Sequence, residues 1–164
     1  MTARGRQWEQ TLDDYHAILR MRALADVRRV PTPVHVTGRD GAHVTGALTR
    51  AEWVDYVGVL RGGRAVYVEA KASADPQRWR VSQVADHQLA LLAAAATLGA
   101  VALVVLCCEA PGPYYGHTYC LTPADCVRGV VVGRASQSSW EWHELEARGA
   151  RVPPRGGWYE WGVE

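Results

Sequence analysis

The sequence predicts a mixed α/β fold in which helices cover a central β-sheet. Residues 89–98 form an Ala/Leu-rich run that ends at Gly99, and residues 101–106 follow as an unbroken apolar, largely β-branched run. A helix that leads directly into a strand buried on both faces is typical of an α/β core. The chain has 164 residues, a formal net charge of +1 and 48% apolar residues, which excludes a chain that is disordered throughout. No linker divides it, so we expect residues 1–164 to form one domain.

Residues 89–108 are also long and apolar enough to suggest a membrane span. However, Thr97 and Gly99 interrupt the run, and β-branched residues fill only its second half. We therefore interpret it as a helix followed by a strand. The N-terminal residues lack the apolar region of a signal peptide, so we expect a cytoplasmic protein that has no membrane partner.

Two elements are expected before the centre of the chain. Apolar residues at helical spacing, among them Trp8, Leu12 and Leu19, predict an amphipathic helix over about residues 5–24. Residues 27–36 are β-branched but interrupted by two prolines, which suits an edge strand or an extended entry to one.

A hairpin unit follows. Residues 34–52 are polar and contain three glycines, and we expect them to form a short protruding hairpin, or stalk. We predict two strands, over residues 53–60 and 65–71. They are joined by residues 61–64, Arg-Gly-Gly-Arg, a sequence that is typical of a hairpin turn. A helix is expected over about residues 81–98.

The second strand of this hairpin carries a candidate catalytic group. Period-two alternation places Tyr67, Glu69 and Lys71 on one face, and Asp55 belongs to the preceding strand. Two carboxylates on adjacent strands offer hard oxygen ligands to Mg²⁺, and an ammonium beside them can orient or deprotonate an attacking water. Lys71 is the one lysine among 18 basic residues, the other 17 being arginine. An ordinary solvated Glu-x-Lys pair is the alternative interpretation of the motif.

The length of the connecting loop decides whether the carboxylates meet. A two-residue loop, Gly62-Gly63, would set Asp55 opposite Ala70 and on the face away from Glu69. A three-residue loop that begins at Arg61 sets Asp55 opposite Glu69 instead. Because one cation must reach both carboxylates, we predict the odd loop, with a left-handed glycine and a bulge, although the sequence signal for a two-residue turn is stronger.

Several blocks of sequence resemble, in order, the motifs of RecU-like Holliday junction resolvases. The resemblance covers about residues 4–106 and consists of Arg4-Gly5-x-x-Trp8-Glu9, residues 28–33 (RRVPTP), residues 54–59 (VDYVGV), residues 68–73 (VEAKAS) and His87-Gln88. It implies the PD-(D/E)XK, or restriction-endonuclease-like, nuclease fold. It also implies a homodimer that cuts four-way DNA junctions with Mg²⁺ or Mn²⁺ and needs no small-molecule cofactor.

The resemblance also implies roles for individual residues. Asp55 and Glu69 would be metal ligands, Lys71 the catalytic lysine, and Glu9 would complete or support the metal site. Gln88 would lie near the site on the following helix. The sequence departs from the family at Ser73, where a threonine is usual, and in its stalk, which is short.

The basic residues supply candidate DNA contacts. Residues 1–80 carry a net charge of +4 and residues 81–164 a net charge of −3. Arginine is the residue most suited to bidentate phosphate contacts. The candidates are Arg4, Arg6, Arg28, Arg29, Arg39, Arg61, Arg64, Arg78 and Arg80, together with Gln88.

Two other functions remain open from the sequence. One is a restriction-like or repair endonuclease of the same fold that acts on duplex DNA. The other is an inactive junction-binding protein, which would be expected to lack Asp55, Glu69 or Lys71, whereas all three are present.

Overall fold

The computed structural model describes residues 3–48, 53–126, 139–148 and 150–152, which form a mixed α/β fold. In chain order the helices and strands are α1 (Ala3–Met21), β1 (Ala25–Arg29), β2 (Val34–Asp40), β3 (His43–Leu48), β4 (Tyr56–Leu60), β5 (Ala65–Ser73), β6 (Arg78–Arg80), α2 (Asp86–Thr97), β7 (Val101–Cys108), β8 (Thr118–Leu121), β9 (Ser139–Glu141), α3 (Trp142–Ala147) and β10 (Arg151–Val152). Short 3₁₀ turns occupy Val81–Gln83 and Pro123–Cys126.

Six strands form the central sheet in the order β1-β4-β5-β7-β8-β10. The β5–β7 pair is parallel, and the other pairs of this sheet are antiparallel. Helix α2 makes the crossover between the parallel strands, as a parallel connection requires. The sheet is therefore mixed and flanked by helices, which confirms the predicted fold class.

Each face of the sheet packs against its own helix. On the α1 face, Leu12 of α1 packs with Val66 and Val68 of β5. On the α2 face, Leu92 of α2 packs with Leu106 of β7 in a cluster that also contains three tryptophans, Trp79, Trp140 and Trp142. Because β5 and β7 lie in the middle of the sheet, their side chains alternate between the two clusters, and all eight residues of β7 are buried.

The apolar stretch predicted to be a helix and a strand is confirmed as α2 and β7. Gly99 has φ of 88° and its N–H donates to Ala96 O, while the Ala100 N–H donates to Ala95 O, so a left-handed residue ends the helix. Within the part of the chain that the structure describes, no helix is long and apolar enough to cross a membrane.

Two boundaries differ from the predictions for physical reasons. The helix expected from residue 81 begins at Asp86, because Val81 and Val84 are both fully buried and the chain between them forms a 3₁₀ turn that places them in the core. The strand expected from residue 53 begins at Tyr56, because the Ala70 N–H donates to the side chain of Asp55 and not to a ladder carbonyl. The stalk is a two-stranded hairpin, β2–β3, of mostly exposed residues, and its predicted end at 49–52 lies outside the described residues.

Gly58 fixes the contact between the edge strand β1 and β4. Gly58 pairs with Val27 of β1 and with Val66 of β5. A Cβ atom at this position would lie 2.5 Å from the Cα of Val27 and would overlap the carbonyl of Asp26. Since the obstacle is backbone, no side-chain rotation can relieve it.

We expect Gly58→Ala to destabilise the protein by at least about 1–3 kcal/mol, because β1 must move away from β4 to admit the methyl group. Urea unfolding followed by circular dichroism measures the change. Gly38→Ala in the stalk is the matched control, since a Cβ there meets only the Cβ of Thr45 at 3.9 Å. Equal stability of the two variants would contradict this explanation.

Candidate active site

Strand β5 places Glu69 and Lys71 at the centre of the sheet. It pairs with β4 on one side and with β7 on the other, so Glu69 lies between two strands and is fully buried. The side chain of Lys71 keeps 22% of its surface exposed, and its Nζ donates to Glu69 Oε1. The ammonium therefore connects a buried carboxylate to the surface.

The predicted odd loop is confirmed by the register of β4 and β5. Tyr56 pairs with Val68 and Val57 pairs with Tyr67, which sets Asp55 opposite Glu69. The loop is closed by the Leu60 N–H, which donates to Arg64 O at 2.8 Å. Its two glycines have φ of 92° and 89°, a left-handed conformation that other residues rarely adopt. The glycines thus allow the loop length on which the site depends.

Asp55 is anchored at the point where β4 begins. The Ala70 N–H donates to Asp55 Oδ2 at 2.9 Å, and the Val30 N–H donates to the Asp55 carbonyl at 2.8 Å. These two bonds tie the residue to β5 and to the chain that leaves β1. One carboxylate oxygen of Asp55 is therefore fixed beside the backbone of Ala70, the residue between Glu69 and Lys71.

The electrostatics of the pair favour a bound cation. Burial and the neighbouring Asp55 carboxylate raise the pKa of Glu69 to about 7, and the opposing effect of Lys71 is smaller. Glu69 Oε2 is buried and has no hydrogen-bond donor among the described residues. Two hard carboxylates with an unsatisfied buried oxygen fit a divalent cation such as Mg²⁺ or Mn²⁺. The residues that would hold it are Asp55 and Glu69.

Glu9 lies in a different set of contacts. It belongs to α1, and its Oε2 is paired with Arg29 Nη1. The other terminal nitrogen of Arg29, Nη2, lies 2.9 Å from Asp13 Oδ2 and donates to the Tyr56 hydroxyl at 3.1 Å. Among the described residues, no three His, Cys, Asp or Glu side chains come together as a metal-binding group. The structure therefore unites Asp55, Glu69 and Lys71 but does not bring Glu9 to them.

This ionic cluster of Glu9, Asp13, Arg29 and Tyr56 was not foreseen as a unit. It joins α1 to β1 and β4, directly beside the backbone of Asp55. The available signal was the spacing of Glu9 and Asp13, which places two carboxylates on one helix face. Arg29, taken from the sequence as a DNA contact, is the cation that neutralises them.

The other predicted DNA contacts fall into four groups. Arg61 and Arg64 lie at the loop end of β4 and β5, opposite the active-site end, where their Nε atoms donate to Ala23 O at 3.2 Å and Gly99 O at 2.8 Å. Gln88 is buried, and its Oε1 accepts the N–H of Ala85. The exposed or half-exposed arginines are Arg28 in β1, which bonds to Asp26, Arg39 in the stalk, and Arg78 and Arg80 in β6. Arg4 and Arg6 lie in α1, and their side chains are outside the described residues.

A mixed sheet flanked by helices, with a carboxylate pair and a lysine at the end of its central hairpin, is the architecture expected of a restriction-endonuclease-like nuclease. The family model of RecU, Recombination protein U, matches residues 3–128. The chain therefore belongs to the RecU family of Holliday junction resolvases, the nucleases of DNA recombination that its sequence motifs resemble.

Among solved structures, that of Hjc, a Holliday junction resolvase from the archaeal hyperthermophile Archaeoglobus fulgidus, is similar with a TM-score of 0.48 and 14% sequence identity. That match covers 85% of this chain and 92% of the other. No curated protein matches the chain.

We expect Glu69→Gln to stabilise the metal-free protein at alkaline pH. The pKa of Glu69 is raised above its unfolded value, so its contribution to stability is fully present below about pH 4.5 and is lost as the pH rises through about 7. The neutral amide avoids this loss. In EDTA, the free energy of unfolding of the variant relative to wild type should increase by about 1–3 kcal/mol between pH 5 and pH 8.5.

Added Mg²⁺ provides the control for this measurement. It should raise the melting temperature of the wild type at pH 8.5 and leave Glu69→Gln nearly unchanged, because the variant lacks one anionic ligand. A stability difference that does not depend on pH would show that burial of the charge is not its cause.

Proposed function

We propose that the protein resolves four-way DNA junctions by hydrolysing one phosphodiester in each of two strands, with Asp55, Glu69 and Lys71 as its catalytic residues. The observation that carries the proposal is the pairing of a fully buried Glu69 with Asp55, next to the one lysine of the chain. A divalent cation bound there would lower the pKa of water and offset the charge that develops on the phosphate. We propose Mg²⁺, with Mn²⁺ as the alternative.

Each side chain has a distinct task in this scheme. Asp55 is held by the Ala70 N–H, so its position is fixed before any ligand binds. Glu69 contributes the buried charge. Lys71 uses one N–H on Glu69 and retains two others at the partly exposed end of the site, where they can orient the attacking water and the phosphate.

The charged surface supports binding to the DNA backbone. We assign phosphate contacts to Arg28, Arg39, Arg78 and Arg80, which are exposed or half-exposed, and to Arg4 and Arg6 from their place in the sequence. Arg61 and Arg64 stay proposals for arms of the junction that extend towards the opposite end of the sheet. Because the substrate has two-fold symmetry and must be cut twice, we propose a C₂ homodimer that acts in the cytoplasm.

A comparison of substrates tests the function. A synthetic four-way junction and a linear duplex of the same arm sequence are incubated with protein, with and without Mg²⁺. We expect paired nicks in the junction that require the metal. Preferential cutting of the duplex would favour the restriction-like alternative, and junction binding without cutting would favour the inactive one.

Glu69→Gln should bind the junction with wild-type affinity and lose cleavage by at least about 100-fold, because it removes a metal ligand and no phosphate contact. Single-turnover cleavage and a binding titration separate the two effects. Asp14→Asn, on the exposed side of α1, is the matched control and should cut normally. Near-normal cleavage by Glu69→Gln would remove Glu69 from the metal site.

Lys71→Arg should lose most cleavage although it keeps the positive charge. The guanidinium is planar and longer than the ammonium, and it does not release a proton near neutral pH. The rate of a single turnover at saturating protein measures the effect, and the melting temperature controls for folding. Full activity would reduce Lys71 to a general countercharge for Glu69.

A further inference from the structure

One tryptophan and one tyrosine are exposed in the part of the chain that the structure describes. Trp53 lies just before β4 and Tyr115 in the loop after β7, so both are at the active-site end of the central sheet. Trp53 keeps 52% of its surface exposed and Tyr115 keeps 60%. By contrast, the other described tryptophans are almost completely buried, at 8% or less for Trp8, Trp79, Trp140 and Trp142. An exposed tryptophan leaves a large apolar area in water, so its position needs a reason.

Trp53 lies next to the carboxylate pair along the chain. It is two residues from Asp55, so the two Cα atoms are at most about 7 Å apart. Val54 between them is buried in the cluster on the α2 face. Asp55 itself is fixed by its bonds to the backbones of Ala70 and Val30. Trp53 is therefore attached to a rigid part of the site, while its own ring stays largely in solvent.

Tyr115 lies on the other side of Lys71, in the loop that joins β7 to β8. Ser73, two residues after Lys71, pairs with Cys108 at the end of β7, and its carbonyl accepts the N–H of Glu109 at 2.8 Å. The Gly116 N–H donates back to Cys108 O at 2.8 Å, which closes the loop directly beside β5. Two residues along a strand span about 7 Å, and neighbouring strands lie about 5 Å apart. The path from Lys71 through Ser73 to the loop is therefore short.

The loop presents Tyr115 in a fixed conformation. The Tyr115 N–H donates to Gly112 O at 3.2 Å, and the His117 N–H donates to Tyr114 O at 2.9 Å. Tyr114 packs against the core on the α2 face and edge-on against the His117 ring. Tyr114 thus anchors the loop and leaves Tyr115 facing water.

The sequence directly around both aromatics offers no cationic side chain for a phosphate contact. Residues 53–55 and 109–117 contain no arginine and no lysine, and each segment carries one acidic residue, Asp55 and Glu109. A segment of this kind can contact DNA favourably through the faces of the bases, which carry no charge. In a continuous duplex those faces are covered by the neighbouring bases, whereas each base pair that borders the centre of an unfolded four-way junction exposes one face.

We propose that Trp53 and Tyr115 stack on bases exposed at the crossover of the junction, beside the strand that is cut, and that they select branched DNA over duplex. This inference rests on the proposed function and extends it, because it names residues that recognise the substrate apart from the catalytic group. Trp53 precedes β4 and Tyr115 follows β7, so the two residues lie on opposite sides of β5. They act as positioning residues and take no part in the hydrolysis.

The test uses leucine and phenylalanine variants of the full chain, Trp53→Leu, Trp53→Phe, Tyr115→Leu and Tyr115→Phe. Leucine keeps an apolar side chain and removes the aromatic face, whereas phenylalanine keeps the face. Leu98→Ala is the control, since Leu98 is 88% exposed at the opposite end of the sheet. Single-turnover cleavage over a range of protein concentrations gives the half-saturating concentration and the limiting rate separately.

Each leucine variant should raise the half-saturating concentration for the junction by about tenfold, with little change in the limiting rate or in binding to duplex. The phenylalanine variants and Leu98→Ala should remain near wild type. A junction that carries 2-aminopurine at the crossover should show a fluorescence change with wild-type protein that the leucine variants reduce.

Three results would overturn the inference while leaving the proposed function intact. These are leucine variants that match wild type on the junction, that lose junction and duplex binding equally, or that change the oligomeric state measured by light scattering. The last result would assign the rings to contacts between copies of the chain. A wild-type protein that cuts duplex as fast as junction would instead contradict the proposed function itself.

Discussion

The architecture around the site depends on the burial of one carboxylate, that of Glu69, in the middle of a six-stranded sheet. An ionised carboxylate is costly to bury, and here a second carboxylate increases the cost. Lys71 compensates only in part, because it contacts one of the two oxygens of Glu69. The remaining negative charge destabilises the folded protein when no metal is bound. The same charge would attract a divalent cation. We therefore propose that the feature that lowers the stability of the metal-free protein also provides its affinity for metal.

The surrounding structure maintains this unfavourable arrangement by fixing the backbone on both sides of Glu69. Strand β7 pairs in parallel with β5 from Val66 to Ser73, and β4 pairs with the first half of β5. Gly58 permits the close approach of β1 to β4, and the Arg61–Gly63 loop sets the register that brings Asp55 to Glu69. The ionic cluster around Arg29 then ties α1 to the strand end where Asp55 begins. These contacts hold the carboxylates in place before metal or DNA is present.

Much of this could be predicted from the sequence because local patterns determined it. The helix stop at Gly99 and the buried strand after it follow from glycine and β-branching, and the face shared by Glu69 and Lys71 follows from strand alternation. The loop length could not be derived from turn preferences, which favoured two residues, and followed only from the chemical requirement that two carboxylates share a cation. The start of β4 at Tyr56 was missed because it depends on a bond between the Asp55 side chain and the Ala70 backbone.

The arginines show where sequence reasoning reaches its limit. Charge alone predicted nine DNA contacts, and these stay predictions. The structure shows that Arg29 also bonds to Glu9 and Asp13, and that Arg61 and Arg64 also bond to backbone carbonyls at the opposite end of the sheet from the carboxylates. A guanidinium has five donors in a rigid fork, so in a folded chain it is readily used to satisfy carboxylates and carbonyls as well as phosphates. The compact ammonium of Lys71 suits a narrower task, since it fits between a buried carboxylate and solvent and keeps donors free for a substrate. In a chain that uses arginine for 17 of its 18 basic residues, the exception lies at the position where we propose that the catalytic chemistry takes place.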